Sequence, residues 1–186
     1  MKLIGISGSI VGSKTRIAIE YALNRANEKY PDIDVELINL GDYDLVFCDG
    51  RDYRDYTGDT KKIIDKIMAA DGFIIGSPVF QSSIPGALKN LFDLLPFDAF
   101  QEKVVGIVIT AGSSKHYLVA EQQLKPILTY MKAFVFPKYV FIEDHHYHEK
   151  QITDPEILKR LNQLTENTIL AINAVNEVFK TSETSY

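Results

Sequence analysis

A single cysteine, Cys48, stands in the sequence, so neither an intramolecular disulfide nor a cysteine-based zinc site is open to this chain, and a reducing, cytoplasmic setting is expected. Tryptophan is absent. No apolar run approaches the roughly 20 residues needed to cross a bilayer, and the Leu3–Ile6 run is shorter than the roughly 7–15 residues of a signal-peptide core. Positive charge is scarce too: 20 Lys and Arg face 25 Asp and Glu, a net charge of -5. Without a basic face to release counterions, nucleic acid and anionic membranes are not expected partners. Repeats and low-complexity tracts are lacking. At roughly 100–200 residues per domain, residues 1–186 are expected to form one domain.

What is present is an alternation. Short apolar, β-branched runs are each followed by a longer segment with apolar residues at helical spacing, the pattern of βαβ units. Strands are expected over Lys2–Ser7, Asp34–Leu40, Gly72–Gly76, Lys103–Thr110 and Val135–Ile142. Helices are expected over Thr15–Lys29, Lys61–Ala70, Pro85–Leu95, Tyr117–Met131 and Asp154–Lys180. Pro85 suits a first helical position, Pro126 predicts a kink or an early restart, and the TSETSY tail is expected to fray. Strands apolar along their whole length imply a parallel sheet covered on both faces. The expected fold is therefore three-layer α/β, five-stranded, in the flavodoxin-like order 2-1-3-4-5.

Sheets of this kind bind ligands beyond the carboxyl ends of their strands, where the strand order reverses. Three segments fall there. Gly8-Ser9-Ile10-Val11-Gly12-Ser13-Lys14-Thr15 follows strand 1 and enters a helix, offering small residues, hydroxyls and a positive helix end to a phosphate. It is a near miss to the nucleotide-binding P-loop, with Ser13 where the second glycine belongs, and it fails G-x-G-x-x-G. After strand 3, Pro78 stiffens a loop whose Phe80 is apolar enough to pack on a flat ring or to seal the core edge. After strand 4, Thr110-Ala111-Gly112-Ser113 permits close approach to a ligand's polar edge.

The pairing of SGSIVGSKTR with GSPVFQSSIPGALKNLFD resembles the NAD(P)H-dependent FMN reductases of the flavodoxin-like superfamily, a group that includes azoreductases and quinone reductases. The likeness runs from Met1 to about Tyr117. It implies that Ser9, Ser13 and Thr15 bind the FMN phosphate, that Pro78, Val79, Phe80 and Gln81 line the isoalloxazine, and that Thr110, Ala111, Gly112 and Ser113 meet its pyrimidine edge. Many members carry an arginine in the first loop where this chain has Ile10 and Val11, so the positive charge falls to Lys14 or Arg16. By the same resemblance, NADPH or NADH passes hydride to the flavin and a small acceptor (free flavin, quinone or azo compound) then takes its place, a ping-pong cycle. The cofactor carries the chemistry, so no catalytic side chain is named. Two rivals stand beside this: a nonenzymatic electron carrier of the flavodoxin type, and a phosphate- or nucleotide-binding regulatory module.

Other residues tempt a functional reading. His145, His146 and His148 lie among acids, but their spacing imposes no tetrahedral geometry, and a solvated loop without metal is the expected state. The stretch 42–59 interleaves Asp with Tyr43, Tyr53 and Tyr56, and its length favours an interface or a lid over the site, with Arg51 or Arg54 available to a dinucleotide phosphate. Cys48 reads as a buried small hydrophobe. Apolar residues crowding the end of the third helix, among them Phe92, Leu95, Phe97 and Phe100, point to a homodimer or a dimer of dimers, with a satellite core under the loop as the alternative.

Overall fold

The computed structural model describes residues 1–183. Its elements run β1 (Lys2–Ser7), α1 (Lys14–Lys29), β2 (Asp34–Asn39), α2 (Gly58–Met68), β3 (Gly72–Pro78), α3 (Gly86–Asp93) and β4 (Val104–Ala111). They continue with α4 (Lys125–Tyr130), β5 (Phe134–Val135), β6 (Val140–Glu143), the short pair β7 (Tyr147–His148) and β8 (Gln151–Ile152), and α5 (Pro155–Glu183). The sheet is parallel throughout in the order β2-β1-β3-β4-β5, with β6 also on β4. The expected order therefore holds, with helices on both faces.

Residue alternation along the strands fills two cores. Ile4 and Ile6 of β1 join Phe73, Ile75, Val105 and Ile107 on the face covered by α2, α3 and α4, while Leu3, Ile74, Val104 and Val108 meet α1 and α5 on the other. Burial on both faces is why these strands lack a polar repeat. On the α1 side, glycine lets the helix come close. A Cβ at Gly5 would stand 2.5 Å from Ile19 Cγ2, and one at Gly76 would stand 2.8 Å from Thr15 Cγ2. The first turn of α1 is thereby held against the carboxyl ends of β1 and β3.

Three expectations need correction. The fifth strand is split into β5 and β6 around 136–139, because Pro137 has no N–H to give to the ladder; Phe136 N still donates to Val105 O at 2.8 Å. The helix expected over Tyr117–Met131 is a 3-10 turn at Ser114–His116, a π-helical turn at Ala120–Leu124 and then α4, the restart falling where Pro126 removes an N–H. Pro85 is the residue before α3 rather than its first, with φ -63° and ψ 148°. Helix α5 runs past Lys180 to Glu183, and the end of the TSETSY tail, 184–186, lies outside the described residues. Among the described residues no helix is long and apolar enough to cross a membrane.

The close seat of α1 gives a test. Gly5→Ala should lower the free energy of unfolding by about 1–3 kcal/mol through overpacking. Gly86→Ala, where a Cβ meets nothing within 4 Å, should change it by less than about 0.5 kcal/mol. Urea denaturation of both variants measures the contrast.

Candidate functional site

The first loop brings its backbone to the end of the sheet, while two of its three hydroxyls, on Ser9 and Thr15, are bonded within the protein. Ser13 is the N-cap of α1, yet its side chain makes no capping hydrogen bond, and no acid stands in the first turn. The leading N–H groups of a helix have no acceptor within it, and the helix dipole makes that end positive. Gly12 has φ +75°, the left-handed region, and a Cβ there would meet nothing within 4 Å, so the mouth in front of Ser13 is open. The Ser9 hydroxyl is turned in on its own loop, donating to Val11 O and accepting from Val11 N. Thr15 is turned inward as well, its Oγ1 lying 2.7 Å from Thr110 Oγ1 with both side chains buried.

Neither candidate cation is unpaired. Lys14 Nζ lies 2.7 Å from Asp144 Oδ1, and Arg16 contacts Glu20 at 2.7 Å and Asp42 at 3.5 Å. The positive character of the first loop therefore comes from oriented N–H groups.

The loop after β3 is stiffer than its composition suggests. Phe80 and Ser83 exchange both backbone hydrogen bonds, at 2.9 and 3.0 Å, across Gln81 and Ser82, whose φ values of 49° and 59° are left-handed. Two non-glycine residues in that region are a strained turn of the kind found at ligand clamps. Val79 N donates to Thr110 O at 3.0 Å and Gly8 N to Gly76 O at 2.8 Å, so the three loops are tied to one another. Phe80 keeps 41% of its surface exposed beside the opening.

Between the loops lies a cleft of about 430 Å³, within the usual size range of small-molecule sites. Of the residues singled out in the sequence, Ser9, Ser13, Lys14, Thr15, Pro78, Val79, Phe80, Thr110, Ala111 and Gly112 line it; Gln81, at the tip of its turn, and Ser113 do not. Val11, Gly12 and Asp144 line it too. Asp144 directly follows β6, beside β4, so the rule that pointed to the ends of strands 1, 3 and 4 would have found it had it been extended by one strand. A larger cavity of about 610 Å³ lies at the sheet edge against α5, away from these loops and from the helix end.

A short strap follows Asp144. Within it, His146 Nδ1 accepts from Glu143 N at 2.9 Å and Tyr147 OH donates to Lys14 O at 3.0 Å. Burial, and then the nearby Asp144 carboxylate, push the Tyr147 phenol well above its ordinary pKa, so it stays protonated and donating at neutral pH. The three histidines thus serve the strap and the surface, and among the described residues no group of three His, Cys, Asp or Glu is placed to hold a metal.

The stretch 42–59 does not line the cleft. Asn90 grips it from α3, its Nδ2 donating to Val46 O and its Oδ1 accepting from Cys48 N, both at 2.9 Å, while Tyr56 plugs the core below. Arg51 and Arg54 are hydrogen-bonded to Asp49 and Asp52 and hold both carboxyls at about 2. Cys48 is half-buried, with Sγ 3.1 Å from Asp93 O.

The buried hydroxyl pair yields a double-mutant test. Thr15→Val leaves Thr110 Oγ1 buried without its partner and should cost about 1–3 kcal/mol of stability. Adding Thr110→Val should recover most of that loss, as read by thermal unfolding of the two single variants and the double variant.

The fold and the cleft can be set beside known proteins. The family model described as NADPH-dependent FMN reductase matches residues 1–147. An NAD(P)H-dependent FAD/FMN reductase of Geobacillus thermodenitrificans is 48% identical over 165 residues, covering 88% of this chain and 89% of its own. An FMN reductase (NADPH) of Escherichia coli is 33% identical over 175 residues, covering 89% and 87%. Among solved structures, the apo form of an NADH:FMN oxidoreductase superposes with a TM-score of 0.77 over 91% of this chain and 89% of its own, at 24% identity. On sequence and fold together, this chain belongs to the NADPH-dependent FMN reductase family.

Proposed function

We propose that the switch-point cleft binds FMN noncovalently and that the chain is a reductase using NADPH or NADH. Its acceptor is free flavin, a quinone, an azo compound or another small molecule, taken in turn with the nicotinamide at one face in a ping-pong cycle. The chain, residues 1–186, is one FMN-binding domain, working in the cytoplasm. Ser13 carries this reading: it sits at the N-cap without capping, and so leaves the helix end open to an anion from outside. The N–H groups of Ser13, Lys14 and Thr15 hold the phosphate. Pro78, Val79 and Phe80 support the flat ring, while the backbone of Thr110, Ala111 and Gly112 meets its polar edge. Ser9 and the Thr15 hydroxyl act indirectly, by fixing the loop and the seat of α1.

The residues present fit such a group without a basic patch, since donors at a helix end favour an anion even in a chain of net charge -5. When bound, FMN supplies hydride acceptance and release, which no side chain here provides. The chain's own part is to fix the ring, leave one face open and present amide dipoles to the negative charge that reduction adds.

Of the apolar residues at the end of α3, Phe92, Leu95 and Phe100 are buried in the chain's own core, so the case for assembly rests on the face between α3 and α4 that stays exposed. Phe97 is 58% and Tyr130 75% exposed beside a groove of about 480 Å³, and a second copy of this chain, giving a homodimer or a dimer of dimers, would cover them. Sedimentation at micromolar concentration should give a multiple of 21.0 kDa, and Tyr130→Glu should reduce it; a monomer in the parent protein would rule out the assembly.

The redox assignment is tested directly. The purified protein should bind FMN, and its flavin absorbance should bleach anaerobically on addition of NADPH or NADH. Binding without bleaching by either nucleotide would favour an electron carrier, and no binding would overturn the reading. Ser13→Asp places a carboxylate where the phosphate should sit. It should weaken FMN by at least about tenfold, spare riboflavin and raise stability by about 0.3–1 kcal/mol through the helix dipole.

A further inference from the structure

Among the described residues Asp144 is the one acid lining the proposed flavin cleft, and it is paired with the one lining cation, Lys14. Its Oδ1 lies 2.7 Å from Lys14 Nζ, and its Oδ2 lies 3.9 Å from where a Cβ on Gly112 would be. The carboxylate therefore reaches from the lysine of the first loop to the loop after β4, on the wall of the cleft. The pair is half-exposed, with 43% of the Lys14 and 55% of the Asp144 side chain accessible. An exposed pair of this kind is weak and readily exchanged.

The placement is built rather than incidental. Asp144 opens a 3-10 turn, Asp144–His146, directly after β6, and the turn is closed at both ends by Glu143 and His146. The next residue, Tyr147, donates to Lys14 O at 3.0 Å, and its ring lies 5.7 Å from Lys14 Nζ. One strap thus fixes both members of the pair. Arg16 is held by Glu20 and Asp42 and does not replace Lys14.

A phosphomonoester brings a charge of about -1.5 to -2 at neutral pH. To reach Lys14 it must take the ammonium from Asp144, and it must then accept a carboxylate at the rim of its own site. We propose, on the basis of the flavin reading above, that Asp144 is a placeholder anion: it occupies Lys14 when the cradle is empty, competes with the flavin's phosphate and so sets a lowered, reversible affinity for FMN. Asp144 is a specificity-determining residue, acting on the phosphate-bearing flavin and not on riboflavin.

Dissociation constants for FMN and riboflavin test this in the parent protein, Asp144→Asn, Lys14→Met and the double variant. Removing one like charge from the wall of a partly solvated cleft corresponds to roughly a tenfold change. Asp144→Asn should therefore tighten FMN about tenfold and leave riboflavin unchanged. Lys14→Met, which leaves the carboxylate uncompensated, should weaken FMN about tenfold or more, and the double variant should return close to the parent value. Asp144→Ser, which also removes the charge, should follow Asp144→Asn if either variant loses stability. An unchanged or weaker FMN affinity in both Asp144 variants, with the parent still binding FMN, would overturn the placeholder role alone. Failure of the parent and every variant to bind FMN would overturn the flavin reading with it.

Discussion

The distance between α1 and the sheet is the constraint on which the site depends. Gly5 and Gly76 have no side chains to hold the helix off, so Ile19 and Thr15 settle directly on β1 and β3. The first turn of α1 is thereby brought to the carboxyl ends of the strands at the point where the strand order reverses. The Thr15–Thr110 hydroxyl pair then ties that turn to β4, and Val79 N ties the loop after β3 to the same threonine's carbonyl. Core packing, rather than loop chemistry, makes three separate loops into one cleft.

The electrostatics follow from the same arrangement. In a chain of net charge -5, the described residues that line the cleft include one cation matched by one acid, so its attraction for an anion comes from the N–H groups at the helix end. Such donors are fixed by backbone geometry, need no rotamer search and are insensitive to pH. This separates holding the phosphate, a task for α1, from tuning how tightly it is held, a task open to the strap that carries Asp144. The strap is an addition to the sheet, and it is protonated and hydrogen-bonded at Tyr147 throughout the neutral range.

Much of this was legible in the sequence because it rests on local pattern. Short apolar, β-branched runs marked the strands, and the small residues after strands 1, 3 and 4 marked the loops that form the cleft. Direction was not legible. Nothing in GSIVGSKT distinguishes a hydroxyl that faces a ligand from one that faces Thr110, and the difference is set by the depth at which α1 sits. The left-handed pair Gln81–Ser82 carries no glycine or asparagine to announce it, and Asp144 lay in a segment where histidines drew attention instead. The split of the fifth strand could have been read from Pro137, which cannot donate to a ladder.

The central claim is that backbone amides at the start of α1 hold the phosphate of the flavin. Amide nitrogen–proton spectra of the labelled protein, titrated in parallel with FMN and with riboflavin, test it most directly. Large shifts at Gly12, Ser13, Lys14 and Thr15 with FMN, and small ones there with riboflavin, are the predicted result, while residues around Val79 and Gly112 should respond to both. Equal responses of the first loop to the two flavins, or none to either, would contradict the account.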